Sequence, residues 1–348
     1  MRAAVYKGLG EVTVEQIPTP EIGAGELLVR VEACGICHTD LKKIEHNLLP
    51  PPRVYGHETA GMVVRAGRDV SRFQPGDRVV VFHHIPCGDC FYCRRSFYAQ
   101  CALYKKVGVT AGYEPAGGGF AQYVRVMDWI VPRGVERIPD GVSFERASFV
   151  EPINTCLKAA VQCALAPQEV VLIIGQGPIG LMFTMLARRA AVTVAVTDRI
   201  AERRALALRC GAHYAWPPGQ AGQVADLTQG RGADVVVVAA SFPGVVEEAI
   251  RHSRPGARIL LFAQTSQAER IVCSGADICV GERTLFGCYS ASVDLQRESA
   301  HLVFSGELPL EELITHRLPL DEIRAGFNLA LHPEPKSLKI IVQPQRWS

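Results

Sequence analysis

No run of apolar residues in this 348-residue chain is long enough to cross a bilayer, so no membrane partner is expected. Charge of one sign is also missing. Lys and Arg number 37 against 35 Asp and Glu, a net charge of +2, which gives no reason to expect a nucleic-acid partner or an anionic surface. The opening segment MRAAVYKGLGEVTVEQ has no long apolar core of the signal-peptide kind, and a cytoplasmic location is the expectation. Internal repeats and low-complexity segments are absent too. What remains is an ordinary globular composition, 48% apolar and 21% charged. One core seldom organises 348 residues, so two domains are expected.

Cysteine, by contrast, is plentiful, with 12 in the chain. A reducing compartment disfavours structural disulfides, so clustered cysteines read as metal ligands and scattered ones as small packed residues. The stretch CGDCFYCRRSFYAQC places Cys87, Cys90, Cys93 and Cys101 at C-x2-C-x2-C-x7-C. Short loops let thiolates converge on one tetrahedral ion, and Gly88 and Asp89 suit the tight turn between the first two. Four thiolates leave no open position, so such a site is structural. Four unmetallated thiols and an iron–sulfur cluster are the alternatives; structural zinc is the reading adopted. Cys156, Cys163, Cys210, Cys273, Cys279 and Cys288 read as packed residues.

Residues 1 to about 150 have a β texture: LLVRVEA, RVVVF and FAQYVRV are separated by GAGE, PPPRVYG, QPGDR and PAGGG. The texture then alternates. VVLIIG, VTVAVTD, DVVVVAAS and ARILLFA read as strands. PIGLMFTMLARRA, IAERRALALRCGA and VVEEAIRHS read as helices, the second closed by Gly211. Such alternation predicts a parallel doubly wound sheet over 152–288. A mixed tail, 289–348, holds a helical DLQRESAHLVFSG and a last strand LKIIVQ, expected to pair back with the N-terminal β domain.

IIGQGPIG carries Gly175, Gly177 and Gly180 as G-x-G-x-x-G, after a buried strand and at the start of a helix. In that setting Gly175 allows the sharp turn, Gly177 lets backbone approach a pyrophosphate, and Gly180 lets helix and strand pack. Amides and dipole at this helix start, which includes Pro178 and Ile179, suit phosphates. Asp198 ends the next strand, where a carboxylate meets the adenosine ribose, so NAD is the expected cofactor. Arg199 follows directly, and Arg203 and Arg204 lie on the next helix, partly offsetting Asp198.

Three further segments carry reactive side chains: ACGICHTD with Cys37, His38, Thr39 and Asp40; YGHETAG with His57 and Glu58; FVEPINTCLKA with Glu151. A catalytic zinc takes three protein ligands and keeps one position open. One sulfur, one imidazole and one carboxylate would serve, but spacing alone does not select them. The order CGICHTD, GHETAG, four-cysteine lobe, GGGFAQYV, EP, GQGPIG resembles the zinc-dependent medium-chain dehydrogenases over nearly the whole chain. Glu58 after His57, and Glu151-Pro152 where alcohol dehydrogenases have a cysteine ligand, resemble their polyol (sorbitol) and threonine dehydrogenase branch.

The resemblance implies an α/β protein: a GroES-like β-rich catalytic domain over 1–151 with its zinc lobe at 87–101, a Rossmann domain over 152–288, and a return segment, 289–348, completing the first. The active site would lie in the cleft between them. It implies two Zn2+ per chain, with Cys37, His57 and Glu151 on the catalytic zinc and Cys87, Cys90, Cys93 and Cys101 on the structural one. Glu58 becomes an exchangeable carboxylate, and Cys156 and Glu58 are rivals to Glu151. Thr39 becomes the hydroxyl taking the substrate proton, His38 a residue near the pyrophosphate, and Asp40 the support of His57. The activity implied is hydride transfer from a secondary alcohol (polyol, sugar-like or amino alcohol) to NAD, by a homotetramer or homodimer. A threonine-type or simple secondary alcohol dehydrogenase is the near alternative, a non-enzymatic dinucleotide sensor the distant one.

Some positions depart from the relatives. Lys42 stands where many have the histidine that completes the proton relay, so Lys42, Lys43, His46 or water would replace it. Tyr289, Ser290 and Ala291 stand where polyol dehydrogenases place a tyrosine and an arginine. His83 and His84 read as structural or exposed, and Cys34, which with Cys37 makes a C-x-x-C, as no redox partner.

Overall fold

The computed structural model describes residues 1–104, 106, 108–114, 117–263 and 270–346. Pro115 and Ala116 of the PAGGG turn lie outside the described residues. The chain divides into two compact units, Met1–Asn154 with Ala291–Ser348, and Thr155–Ser290.

The first unit is built on the strand Leu27–Gly35, whose Leu27, Val29, Val31 and Ala33 are wholly buried. Along one side it pairs antiparallel with Glu58–Ala66, which pairs in turn with Arg78–Val81 and then Val135–Arg137. Its other side is shared. Tyr123–Val126 takes the first half, and Lys339–Gln343 takes the end through Ile341↔Gly35 and Val342↔Cys34. Ile314–Pro319 extends the sheet in parallel with Lys339–Gln343. A hairpin, Arg2–Gly8 with Glu11–Gln16, forms a separate small sheet with Arg53–Val54. Leu9 and Gly10, at φ +49° and +80°, supply the left-handed turn that a two-residue hairpin favours. Tyr6, Phe82, Phe120, Ile85 and Tyr104 fill the core.

The second unit is a six-stranded parallel sheet in the order Tyr214–Trp216, Thr193–Thr197, Val170–Ile174, Ala233–Val238, Ser253–Leu261, Thr284–Gly287. Every residue of Val170–Ile174 is buried, as a strand covered on both faces requires. The strands to its two sides are reached by helices Pro178–Arg189, Ala201–Arg209 and Val245–His252. The order reverses at Val170–Ile174, and the crevice at its carboxyl end is where such sheets take a nucleotide. One strand differs from the expectation. Ser253–Leu261 begins before ARILLFA and runs through Pro255, where an irregular register spares the missing amide. Among the described residues no helix is long and apolar enough to cross a membrane.

Candidate functional site

Helix His38–Glu45 starts directly after Cys37, which adopts the extended backbone of an N-cap. His57 leads into the strand Glu58–Ala66, whose first residue, Glu58, is only 1% exposed. These two starts bring one thiol, one imidazole and one carboxylate together: ligand atoms of Cys37, His57 and Glu58 all lie within 4.8 Å of one another. Behind them, Nδ1 of His57 meets Oδ1 of buried Asp40 at 2.9 Å. That contact fixes the ring and its tautomer, leaving Nε2 for a metal. Burial disfavours charge on both partners, yet their attraction outweighs it, holding the Asp40 carboxyl low and the His57 imidazole high.

Glu58 is tied on its other side by Lys339, a residue that reading along the sequence passed over. The two make an ion pair, and Lys339 Nζ also donates to the Ile36 carbonyl at 3.3 Å. The only trace in the sequence is a lysine next to the leucine that opens the apolar strand LKIIVQ. Glycine at position 35 is required here: a Cβ would lie 1.8 Å from Glu58 Oε2.

Glu151 stands apart from this trio. It lies in the first turn of helix Val150–Cys163, where Pro152 loses no hydrogen bond. Its Oε1 is 3.7 Å from Nδ1 of His83. Burial, opposed by His57 and reinforced by Glu58, pushes its carboxyl up to about 7. A divalent cation nearby would reverse that shift. His83 and His84 are both buried, at 5% exposure each, so of the expected alternatives, structural or exposed, the exposed one does not hold. The ring of His83 lies 5.3 Å from that of His57. Thr39, two residues after Cys37, is half-buried, and His38 is exposed at the helix start. Cys34 is fully buried against Thr59 (3.9 Å) and is outside the metal-ligand group. Cys156 is fully buried and is likewise outside it.

The donor set fits zinc: a borderline-soft ion accepts thiolate, imidazole and carboxylate together. The lobe offers a second, all-sulfur set. Sulfur atoms of Cys87, Cys90, Cys93 and Cys101 lie within 4.8 Å of one another, with Cys90 and Cys93 at 3.5 Å. Amides of Asp89 and Cys90 draw the Cys87 thiol down to about 6, whereas burial pushes Cys93 up to about 12. Gly88, at φ +81°, makes the turn. Among the described residues no two cysteines form a disulfide. Cys163 and Cys210 are buried, but Cys273 and Cys279 are exposed and Cys288 is half-buried, so the expectation that all were packed holds only in part.

In the second unit the glycine turn shows a steric need at Gly175 and Gly180. Gly175 is left-handed at φ +95°, and a Cβ there would meet that of Ala240 at 2.6 Å. A Cβ on Gly180 would meet the Gly175 carbonyl at 1.9 Å. Gly177 caps the helix that Pro178 and Ile179 begin, with Nη1 of Arg203 at 4.0 Å from where its Cβ would be. Asp198, just past Thr193–Thr197, accepts the amides of Gln176 (2.7 Å) and Ile200 (2.8 Å). Arg199 is exposed beside it, and Arg204 donates to its carbonyl at 2.7 Å. Near the unit boundary, Lys158 donates to the carbonyls of Tyr289 (2.8 Å) and Ser290 (3.3 Å), holding the segment where an arginine was missing.

Residues 23–139 match the alcohol dehydrogenase GroES-like domain, and residues 178–304 match the zinc-binding dehydrogenase family. The L-threonine 3-dehydrogenase of Pyrococcus horikoshii is 31% identical over 334 residues, covering 92% of each chain. Sorbitol dehydrogenase of Bacillus subtilis (strain 168) is 29% identical over 356 residues, covering 99% of this chain and 98% of that protein. A solved zinc-binding dehydrogenase from Sinorhizobium meliloti 1021, bound to NADP, superposes with a TM-score of 0.88 at 29% identity, over 99% of both chains. The chain belongs to the zinc-dependent medium-chain dehydrogenases, in their polyol and threonine dehydrogenase-like branch. It is a zinc-dependent oxidoreductase of alcohols.

Proposed function

We propose that the chain moves hydride between a secondary alcohol, of polyol, sugar-like or amino-alcohol type, and NAD, with two zinc ions per chain. The observation that carries this reading is the convergence of half-buried Cys37 with buried His57 and Glu58 within 4.8 Å, in a chain that also holds the glycine turn. Zinc at such a site acidifies a substrate hydroxyl. Cys37, His57 and Glu151 hold it, and Glu58 is the carboxylate that exchanges. Glu58 already has a permanent cation in Lys339, whereas Glu151 faces an imidazole that can be neutral, so Glu151 is the easier of the two to commit to a metal. Thr39, half-buried two residues after Cys37, takes the hydroxyl proton. Cys87, Cys90, Cys93 and Cys101 hold the structural ion.

Gly175, Gly177, Pro178, Ile179 and Gly180 receive the pyrophosphate, with His38 as a further contact. Asp198 accepts from a ribose 2′-hydroxyl and repels a 2′-phosphate, which favours NAD. Arg199 and Arg203 work against that preference. The working protein is a cytoplasmic homotetramer or homodimer.

Initial rates on a panel of polyols, sugar alcohols, L-threonine and simple secondary alcohols, with NAD and with NADP, test the reading at the reduced-nicotinamide absorbance. Turnover with NAD, at a kcat/KM above that with NADP, is expected. Preference for NADP removes the role of Asp198. No turnover on any alcohol, from protein carrying both metals, favours a dinucleotide sensor instead.

A further inference from the structure

Glu58 joins the Cys37–His57 group, Glu151 is a second carboxylate outside it with its side chain 11% exposed, and each has its own counter-group. Lys339 holds Glu58, and His83 lies against Glu151. We propose that His83 is a positioning residue for Glu151, fixing that carboxylate for the metal that Cys37 and His57 would hold. The inference rests on Glu151 being a zinc ligand.

His83 follows the buried strand Arg78–Val81 and has little freedom of its own. Its ring packs on Phe82 (5.2 Å), His84 (4.6 Å) and His57 (5.3 Å between centroids). Nδ1 sits 3.7 Å from Oε1 of Glu151. The glutamate, by contrast, reaches out from the first turn of its helix on a side chain with three torsions. A clamped ring next to a flexible carboxylate fixes the carboxylate, not the reverse. Groups that hold a metal ligand from behind are worth about 10- to 100-fold in metal affinity. The Asp40–His57 hydrogen bond, at 2.9 Å, does this for the imidazole, and the inference assigns the same part to the longer His83–Glu151 contact, at 3.7 Å, for the carboxylate.

The test compares His83→Ala, His83→Asn, Glu151→Ala and the double variant His83→Ala/Glu151→Ala as full-length, metal-loaded protein. Chelator competition reads metal affinity at each site, and Co2+ substitution reads coordination through the visible bands. His83→Ala is expected to weaken the mixed-ligand site by about 10- to 100-fold, shift its Co2+ bands, and leave the four-thiolate metal in place. His83→Asn, whose amide nitrogen falls near Nδ1, should recover most of that loss. The double variant should lose no more than Glu151→Ala alone, because residues acting through one another are not additive. Should His83→Ala fail to fold, His83→Phe keeps the ring packing without the nitrogen and must show the same loss. Wild-type affinity and bands in His83→Ala, while Glu151→Ala loses the metal, overturn the role of His83 and leave the Glu151 reading standing. Unchanged metal in Glu151→Ala overturns the Glu151 reading itself, and the role of His83 falls with it. Equal losses in His83→Asn and His83→Ala assign the effect to ring packing and reject the inference.

Discussion

Lys339 and Glu58 form an ion pair withdrawn from water, their side chains 5% and 1% exposed. Gly35 lies between the two strands that carry them, paired with Glu58 on one side and Ile341 on the other. Removing one partner of a buried pair leaves the other charge uncompensated, at about 3–5 kcal/mol. Lys339→Met should therefore lose stability of that order in urea unfolding. Adding Glu58→Gln should return much of it, since no bare charge remains. A single variant within about 1 kcal/mol of wild type would contradict this account.

Gly35→Ala puts a methyl group 1.8 Å from Glu58 Oε2 and 2.8 Å from Cε of Lys339. The Glu58 carboxylate must therefore shift, and its contact with Lys339 shifts with it. Overpacking of this kind costs about 1–3 kcal/mol, and here it should also lower metal content at the Cys37–His57 site. Gly219→Ala is the control, because a Cβ there meets nothing within 4 Å. Metal analysis after dialysis separates them: equal metal in both variants would show that the Glu58 position does not matter.

Cys90→Ser removes one of four thiols that lie within 4.8 Å of one another and offer no open position. Because binding energy at a closed site is folding energy, the variant should melt earlier or fail to assemble, while any protein that does fold keeps its Cys37–His57 metal. Unchanged melting with a selective fall in turnover would place chemistry, rather than support, in the lobe.

Glu26 is held by Arg125 through two contacts, 2.8 Å and 2.7 Å, and by the Gly23 amide at 2.6 Å. Burial alone would raise its carboxyl. The Arg125 and Gly23 contacts outweigh burial and bring it below its usual 4.5. A carboxyl that is lower folded than unfolded stabilises above the unfolded value, and loses that effect as pH falls through the folded one. Glu26→Gln should thus be less stable than wild type at pH 7, by about 1–3 kcal/mol for a hydrogen bond to charge. The gap should narrow as pH drops below about 4.5. A gap that stays constant from pH 7 to pH 3 would deny Glu26 this role.

What the sequence determined by itself is local. A buried strand, a G-x-G-x-x-G and a helix start are consecutive, so their geometry follows from steric limits within a few residues, and the structure shows the reason for Gly175 and Gly180. The same holds for the x2 spacings of Cys87, Cys90 and Cys93, which bring sulfur atoms together through tight turns. His57 and Asp40 are separated by 17 residues, and a family resemblance was needed to connect them. Pairings across long stretches of chain had no such signal. Lys339 meets Glu58 across 281 residues because Lys339–Gln343 adds to the same strand that carries Gly35. His83 meets Glu151 because a strand end and a helix start converge in one core. A single lysine or histidine in the sequence carries no mark of its partner. Only the tertiary structure decides which charge it neutralises, since burial in a shared low-dielectric core, rather than nearness along the chain, makes an unpartnered charge too costly to keep.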